Sequence, residues 1–131
     1  MTSRFDLTLQ PGLYSIVRLA PRAKIPPWAL RDGLHSVTRT ASELSIVCRQ
    51  ERVPAGARRE DGFRCLEVGG PLPFDATGVL ASLAAPLARA RIPIFAISTF
   101  DTDLLFVRRS HLASAIRALE RAGHRVDGSV E

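Results

Sequence analysis

Between Ile97 and Val107 the sequence reads ISTFDTDLLFV: an apolar run is broken by Ser98, Thr99, Phe100, Asp101, Thr102 and Asp103, then resumes. Hydroxyls and carboxylates at this density have two uses. Their oxygens can accept hydrogen bonds from a bound group, or they can fold a tight turn by bonding the local backbone. On the residues alone, both a plain turn and a holding site remain open.

Other chemistries lack their parts. No Ser or Cys sits in a nucleophile elbow, no glycine-rich phosphate loop is present, and no acids pair at helical spacing. The chain does not read as an enzyme, and neither a catalytic residue nor a cofactor is assigned. His35, His111 and His124 lie far apart, at no metal-ligand spacing, so no metal is expected. Cys48 and Cys65 each fall in an apolar, strand-like run and read as buried free thiols. The net charge of +5 comes from arginines scattered singly or in pairs such as Arg58-Arg59 and Arg108-Arg109. They form no basic stripe interleaved with aromatics, so nucleic acid is not the expected partner. The start, MTSRFDLTLQPG, has no apolar signal region, and no window reaches the roughly 18–20 apolar residues of a membrane span. A soluble cytoplasmic protein is expected.

A length of 131 residues suits one compact domain or two very small ones. The elements around the polar patch are legible. GFRCLEVGG alternates as a strand. In PLPFDATGVLASLAAPLARARI, Asp75 can cap a helix by accepting from the amide of Thr77 or Gly78. Val79, Leu80, Leu83 and Leu87 then recur as one apolar stripe, and Pro86 should kink or shorten the last turns. The patch itself is the turn of a hairpin. SHLASAIRALERAGHRV follows, with Ser110 as N-cap, Leu112, Ile116 and Leu119 on one face, Gly123 as the stop, and HRV opening a last strand. The order β-α-β-β-α-β describes a split βαβ, ferredoxin-like unit.

The first half repeats the plan in shorter form. HSVTRTASELSIV, His35 to Val47, lies without gaps under FAISTFDTDLLFV, placing Val37 on Ile97 and Glu43 on Asp103. GLYSIVRLA precedes it as a strand, PPWALRDG is a stub of helix with Trp28 as a core plug, and RQERVPAGARREDG reduces the second-helix region to a polar loop. The expected fold class is α+β: two ferredoxin-like units in tandem, a shortened one over 1–60 and a complete one over 61–131, sharing a core.

The stretch DATGVLASLAAPLARARIPIFAISTFDTDLLFV resembles the ACT domain, an amino-acid-sensing module. It is similar to stand-alone tandem ACT proteins and to the CASTOR-type sensors. The likeness covers Gly62 to Val126 well and Gly12 to Val47 more loosely, and Pro93 departs from the pattern. It implies a ligand where the loop-to-helix junction of one unit, here Phe74, Asp75, Ala76, Thr77, Gly78 and Val79, meets a strand of its neighbour. There the helix N-terminus suits an α-carboxylate and Gly78 lets the ligand approach the backbone. The α-ammonium group then needs acceptors nearby, which Asp101, Asp103 and the hydroxyls of Ser98 and Thr99, beside Ile97, would supply. Beside these roles stand plainer ones: Asp75 as a cap alone, Gly78 as a packing residue, the aspartates as turn formers. Arginine-sensing members carry an acid where this chain has Ala76, which favours a small or apolar amino acid here. The implied function is ligand-dependent regulation by conformational or oligomeric change, with a homodimer or a partner protein reading it. The alternative is a ligand-free dimerisation or protein-interaction module.

Overall fold

The chain forms two compact units, one of Met1–Pro11 with Arg64–Glu131 and one of Gly12–Phe63; the computed structural model describes residues 4–128. In chain order the strands are β1 (Asp6–Leu9), β2 (Tyr14–Leu19), β3 (Ser36–Arg39), β4 (Leu44–Arg49), β5 (Arg59–Val68), β6 (Phe95–Ser98), β7 (Asp103–Arg108) and β8 (Arg125–Asp127). The helices are α1 (Val79–Arg89) and α2 (Leu112–Arg121). The fold is α+β with a mixed sheet.

In the larger unit the strands run in the order β6-β7-β5-β1-β8. The chain order β5-α1-β6-β7-α2-β8 is the one the sequence pattern gives. The addition is β1, which lies antiparallel to β5, with Leu9 opposite Leu66, and parallel to β8, with Leu7 opposite Val126. A division at residues 60 and 61 therefore differs from the compact units observed, because β1 is hydrogen-bonded into the C-terminal unit. The outer limits 1 and 131 lie outside the described residues.

Alternation sorts the side chains of this sheet. Leu7, Leu9, Leu66, Val68, Leu105 and Val107 are buried together with Leu83 and Leu87 of α1 and Leu112, Ala115 and Leu119 of α2. The stripe on α1 is narrower than its sequence suggests, since Leu80 is exposed. Pro86 does not end this helix: it lies buried within α1, and its carbonyl accepts from Ala90 at 3.1 Å. Both helices close with the paired bonds of a Schellman motif. In α2 these run from Gly123 N–H to Glu120 O and from His124 N–H to Leu119 O, both 3.0 Å. In α1 they run from Arg91 N–H to Ala88 O and from Ile92 N–H to Leu87 O, and the left-handed residue is Arg91, at φ 60°. His124 is buried; its Nδ1 accepts from the Phe5 amide and its Nε2–H donates to Ser82 O, each at 3.1 Å.

Neither expected side-chain cap is present. α1 starts at Val79 behind Gly78, and Asp75 lies three residues upstream in a turn closed by Ala76 N–H to Pro73 O. α2 starts at Leu112 behind His111, because Arg109–His111 winds as a 3-10 turn and carries Ser110 out of the cap position.

The smaller unit orders its strands β3-β4-β2 and then the start of β5, where Val17 faces Arg59. The helix stub is a single 3-10 turn, Pro27–Leu30, and a second, Gln50–Arg52, is all the helix that follows β4. Val17, Ala29, Leu44, Ile46, Cys48 and Val53 form its core, with Trp28 packed against them. Arginines hold the loops. Arg18 donates to Ser42 O at 2.8 Å, Arg39 to Ala23 O at 2.9 Å and to Pro21 O, and Arg52 to Asp32 O.

The two hairpins match one residue out of step with the gapless alignment. Arg39 pairs with Leu44 around a Thr40–Glu43 loop, and Ser98 pairs with Asp103 around a Thr99–Thr102 loop. Asp103 thus corresponds to Leu44, and Val37 to Ala96. Residue types could not reveal the slip, since β4 and β7 are both buried nearly end to end and so carry little alternation.

Two tests follow from this packing. Burial, reinforced by Glu67, pushes the Cys65 thiol up to about 12 from 9.0. The folded state thus keeps a neutral thiol that the unfolded chain ionises, so this contribution to stability is complete below pH 9 and lost as pH rises to about 12. Melting temperature against pH should fall across that window and fall less in Cys65→Ala. For Arg91→Gly we expect a gain of about 0.5–1 kcal/mol in urea unfolding, because glycine relieves the left-handed backbone at a smaller entropic cost.

Candidate functional site

A cavity of about 650 Å³ opens in the larger unit between the loop ahead of α1, the first turn of α1 and the turn of the β6–β7 hairpin. Its floor includes Asp103, only 9% exposed, at the end of the row that continues into the core as Leu105 and Val107. Ser98 Oγ donates to Asp103 Oδ1 at 2.5 Å, which fixes the carboxylate and leaves the hydroxyl's lone pairs open. Opposite stands the start of α1. Gly78 takes φ +78°, a conformation glycine adopts freely. No side chain caps the helix, and no acidic residue lies in its first turn. Val79, Leu80 and Ala81 line the cavity, and their amides are among the N–H groups a helix leaves without internal partners. A methyl group added at Gly78 would meet nothing within 4 Å, so the glycine is there for its backbone angle rather than for tight packing.

The two walls are tied together. Thr102 Oγ1 donates to Val68 O at 2.6 Å, and the Leu72 amide donates to Asp101 O at 2.7 Å. Gly70 passes so close that an added Cβ would lie 3.0 Å from Asp101 O. Thr99 closes the turn itself: its amide donates to Thr102 O at 2.7 Å, and its hydroxyl both donates to Thr102 O and accepts from Thr102 N–H, each at 3.1 Å. The turn-forming role stated for the polar patch is thus filled by Thr99 and Thr102, while Ser98 and Asp103 face the cavity.

Of the residues singled out in the sequence, the cavity brings together Phe74, Ala76, Gly78, Val79, Ser98, Thr99, Asp101 and Asp103. Asp75, Thr77 and Ile97 do not line it. Asp75 and Thr77 are exposed, and Ile97, next to Ser98 on β6, points to the other side of the strand. Sequence reasoning passed over Leu72, Pro73, Leu80, Ala81, Phe100 and Thr102. Phe100 offered a signal: a large apolar residue in the middle of a polar turn.

A second cavity, of about 610 Å³, lies in the smaller unit beside Gly12, Arg49, Glu51 and Arg59. Its charges are engaged locally: Arg59 donates to Val53 O and Pro54 O, and Arg49 pairs with Glu51 at 3.3 Å. Thr40, the residue of the smaller hairpin that matches Thr99, accepts from Ser42 N–H at 3.1 Å and Glu43 N–H at 3.2 Å. Among the described residues no group of His, Cys, Asp and Glu could hold a metal ion, and no helix is long and apolar enough to cross a membrane.

A model of the ACT domain matches residues 58–121, the stretch that runs from β5 through α2. The chain is an ACT-containing protein. A separate model, of an N-terminal domain, matches residues 12–56. At 41% identity and a TM-score of 0.92, over 96% of this chain and 94% of the other, it belongs to the same family as protein Atu0741 of Agobacterium tumefaciens. It is also 42% identical over 60 residues to the human cytosolic arginine sensor for mTORC1 subunit 1; the match spans 45% of this chain and 18% of that relative. The regulatory subunit of aspartate kinase from Thermus flavus shares the fold, with a TM-score of 0.61 at 12% identity over 88% of this chain and 95% of that one.

The tie between the walls can be tested alone. Thr102→Val keeps the shape but leaves Val68 O without its partner. We expect a loss of about 1–2 kcal/mol and faster hydrogen exchange at the Leu72 amide.

Proposed function

We propose that this protein binds a free amino acid in the cavity ahead of α1 and acts as a regulator rather than as an enzyme. The observation that carries the reading is the pairing of an uncapped helix N-terminus with a fixed, nearly buried carboxylate across one cleft. An α-amino acid is the ligand whose two charges fit that pairing. Its carboxylate accepts from the open amides of Val79, Leu80 and Ala81, where the helix dipole favours an anion. Its ammonium group donates to Asp103 and to Ser98 Oγ, with Asp101 adding negative charge at the rim. The likeness to an arginine sensor and to a regulatory subunit supports the sensing role.

Regulation follows from differential binding. A ligand that bridges the α1 loop and the hairpin turn favours whichever conformation or oligomer holds them at the bound spacing. We read the Gly12–Phe63 unit as a second, truncated ACT-like module in tandem with the first, and a homodimer or a partner protein in the cytoplasm as the element that reads the change.

The test is a thermal-shift panel of the twenty amino acids, on the parent and on Asp103→Asn. Ligand at 100 times its dissociation constant adds about 2.7 kcal/mol, which for a chain of this size is a rise of about 10 °C. Asp103→Asn keeps an acceptor for Ser98 but removes the charge, and should weaken binding about 10–100-fold. A flat panel with the parent would leave the ligand-free interaction module as the reading.

A further inference from the structure

Five large hydrophobic side chains are exposed among the described residues: Ile25, Leu30, Phe74, Leu80 and Phe100. Three of the five, Phe74, Leu80 and Phe100, ring the mouth of the one cavity that also holds Asp103. Phe74 is 73% exposed and Phe100 80%, yet their rings meet at 5.3 Å between centroids, tilted by 36°. Scattered exposed hydrophobics need no explanation, but a cluster at the rim of a cleft marks a contact surface.

The cluster is also held in place. Phe74 stands on the loop ahead of α1 and Phe100 on the hairpin turn. The Leu72–Asp101 hydrogen bond joins these two segments, and the Thr102–Val68 bond ties the hairpin turn to the end of β5. The rings are therefore presented by an anchored frame. Polarity is divided as well: the carboxylate of Asp103 is nearly buried, and the exposed Pro73 and Leu80 join the two rings toward the outside. Ala76, a bare methyl group, lines the same loop, so the rim carries no basic residue, and its one charge is Asp101.

We infer that Phe74, Phe100 and Leu80 form a specificity subsite for a bulky apolar side chain, so that the ligand is an aliphatic or aromatic amino acid rather than a small or charged one. The inference rests on the amino-acid reading of the cavity. A ligand held by its α-carboxylate at the α1 amides and by its α-ammonium group at Asp103 directs its side chain outward to these three residues. A branched or aromatic group there removes the two rings from water along with its own surface. A methyl side chain would be too short to reach them.

The experiment is isothermal titration of leucine, phenylalanine, alanine and arginine into the full chain, for the parent, Phe74→Ala, Phe100→Ala, Phe100→Leu and Asp103→Asn. Both rings are exposed, so the alanine variants should fold, and circular dichroism with apo melting temperature verifies this before titration. We expect leucine or phenylalanine to bind at least about 10-fold more tightly than alanine. Phe74→Ala and Phe100→Ala should each cut that ratio about 10-fold, with Phe100→Leu restoring most of it. Amino-acid binding that is lost in Asp103→Asn but shows no preference for bulk, or no response to either ring, would overturn the subsite and leave the amino-acid reading standing. A preference for arginine over leucine would overturn it too, because the rings would then be serving as faces for a cation. Absence of binding by all four ligands to the parent would remove both readings together.

Discussion

The register of β7 is the constraint on which the larger unit depends. This strand is paired on both sides, with β5 and β6, and is buried along almost its whole length. Asp103, Leu105 and Val107 face one way; Leu104 and Phe106 face the other, with Phe106 edge-on to Phe95. A slip of a single residue would carry the carboxylate away from the cleft and set Leu104 in its place. The pairing of Ser98 with Asp103 at the hairpin end settles the register, and the same two side chains are hydrogen-bonded to each other. One contact therefore sets both the packing of the core row and the polarity of the cavity floor.

The opposite wall reflects a compromise between stability and openness. A serine or aspartate cap would satisfy the first amides of α1 from within the chain. Glycine in their place costs only a few tenths of a kcal/mol, and it leaves those amides facing the cleft. Gly78 also turns the chain into the helix through a left-handed step, so that helix and loop meet at an angle that keeps the cavity open. The loop ahead of it gains its order from elsewhere, through its bonds to the hairpin turn. The helix start is left free while its approach is fixed.

How much of this was legible depended on the range of the interaction. The two helices, the two hairpins and the buried thiols all arise from local patterns and stand in the structure, although Leu80 leaves the α1 stripe and the hairpins match one residue out of step. The helix starts were misjudged because Asp75 and Ser110 have the right chemistry for a cap, and only backbone geometry decides which residue occupies the position. The partner of strand β1 has no local signature: FDLTL alternates, but nothing local says that it pairs with residues some sixty positions later. The polar half of the cavity was readable from Ser98 and Asp103. Its apolar half was not, because Leu72, Leu80 and Phe100 come together only through the tie between loop and turn.

The placement of β1 has a wider consequence. The chain leaves the larger unit after Pro11 and re-enters it at Arg64, and these two points lie on neighbouring antiparallel strands, where Gln10 N–H reaches Cys65 O at 2.9 Å. The smaller unit is thus nested, like a parenthesis within a sentence, in what would otherwise be a plain hairpin. Chain inserted between such adjacent points can lengthen, shrink or be exchanged over evolutionary time without unravelling the host sheet. Nesting gives the two halves of this gene product unequal freedom: the middle can drift, while the segments on either side of it must keep fitting each other.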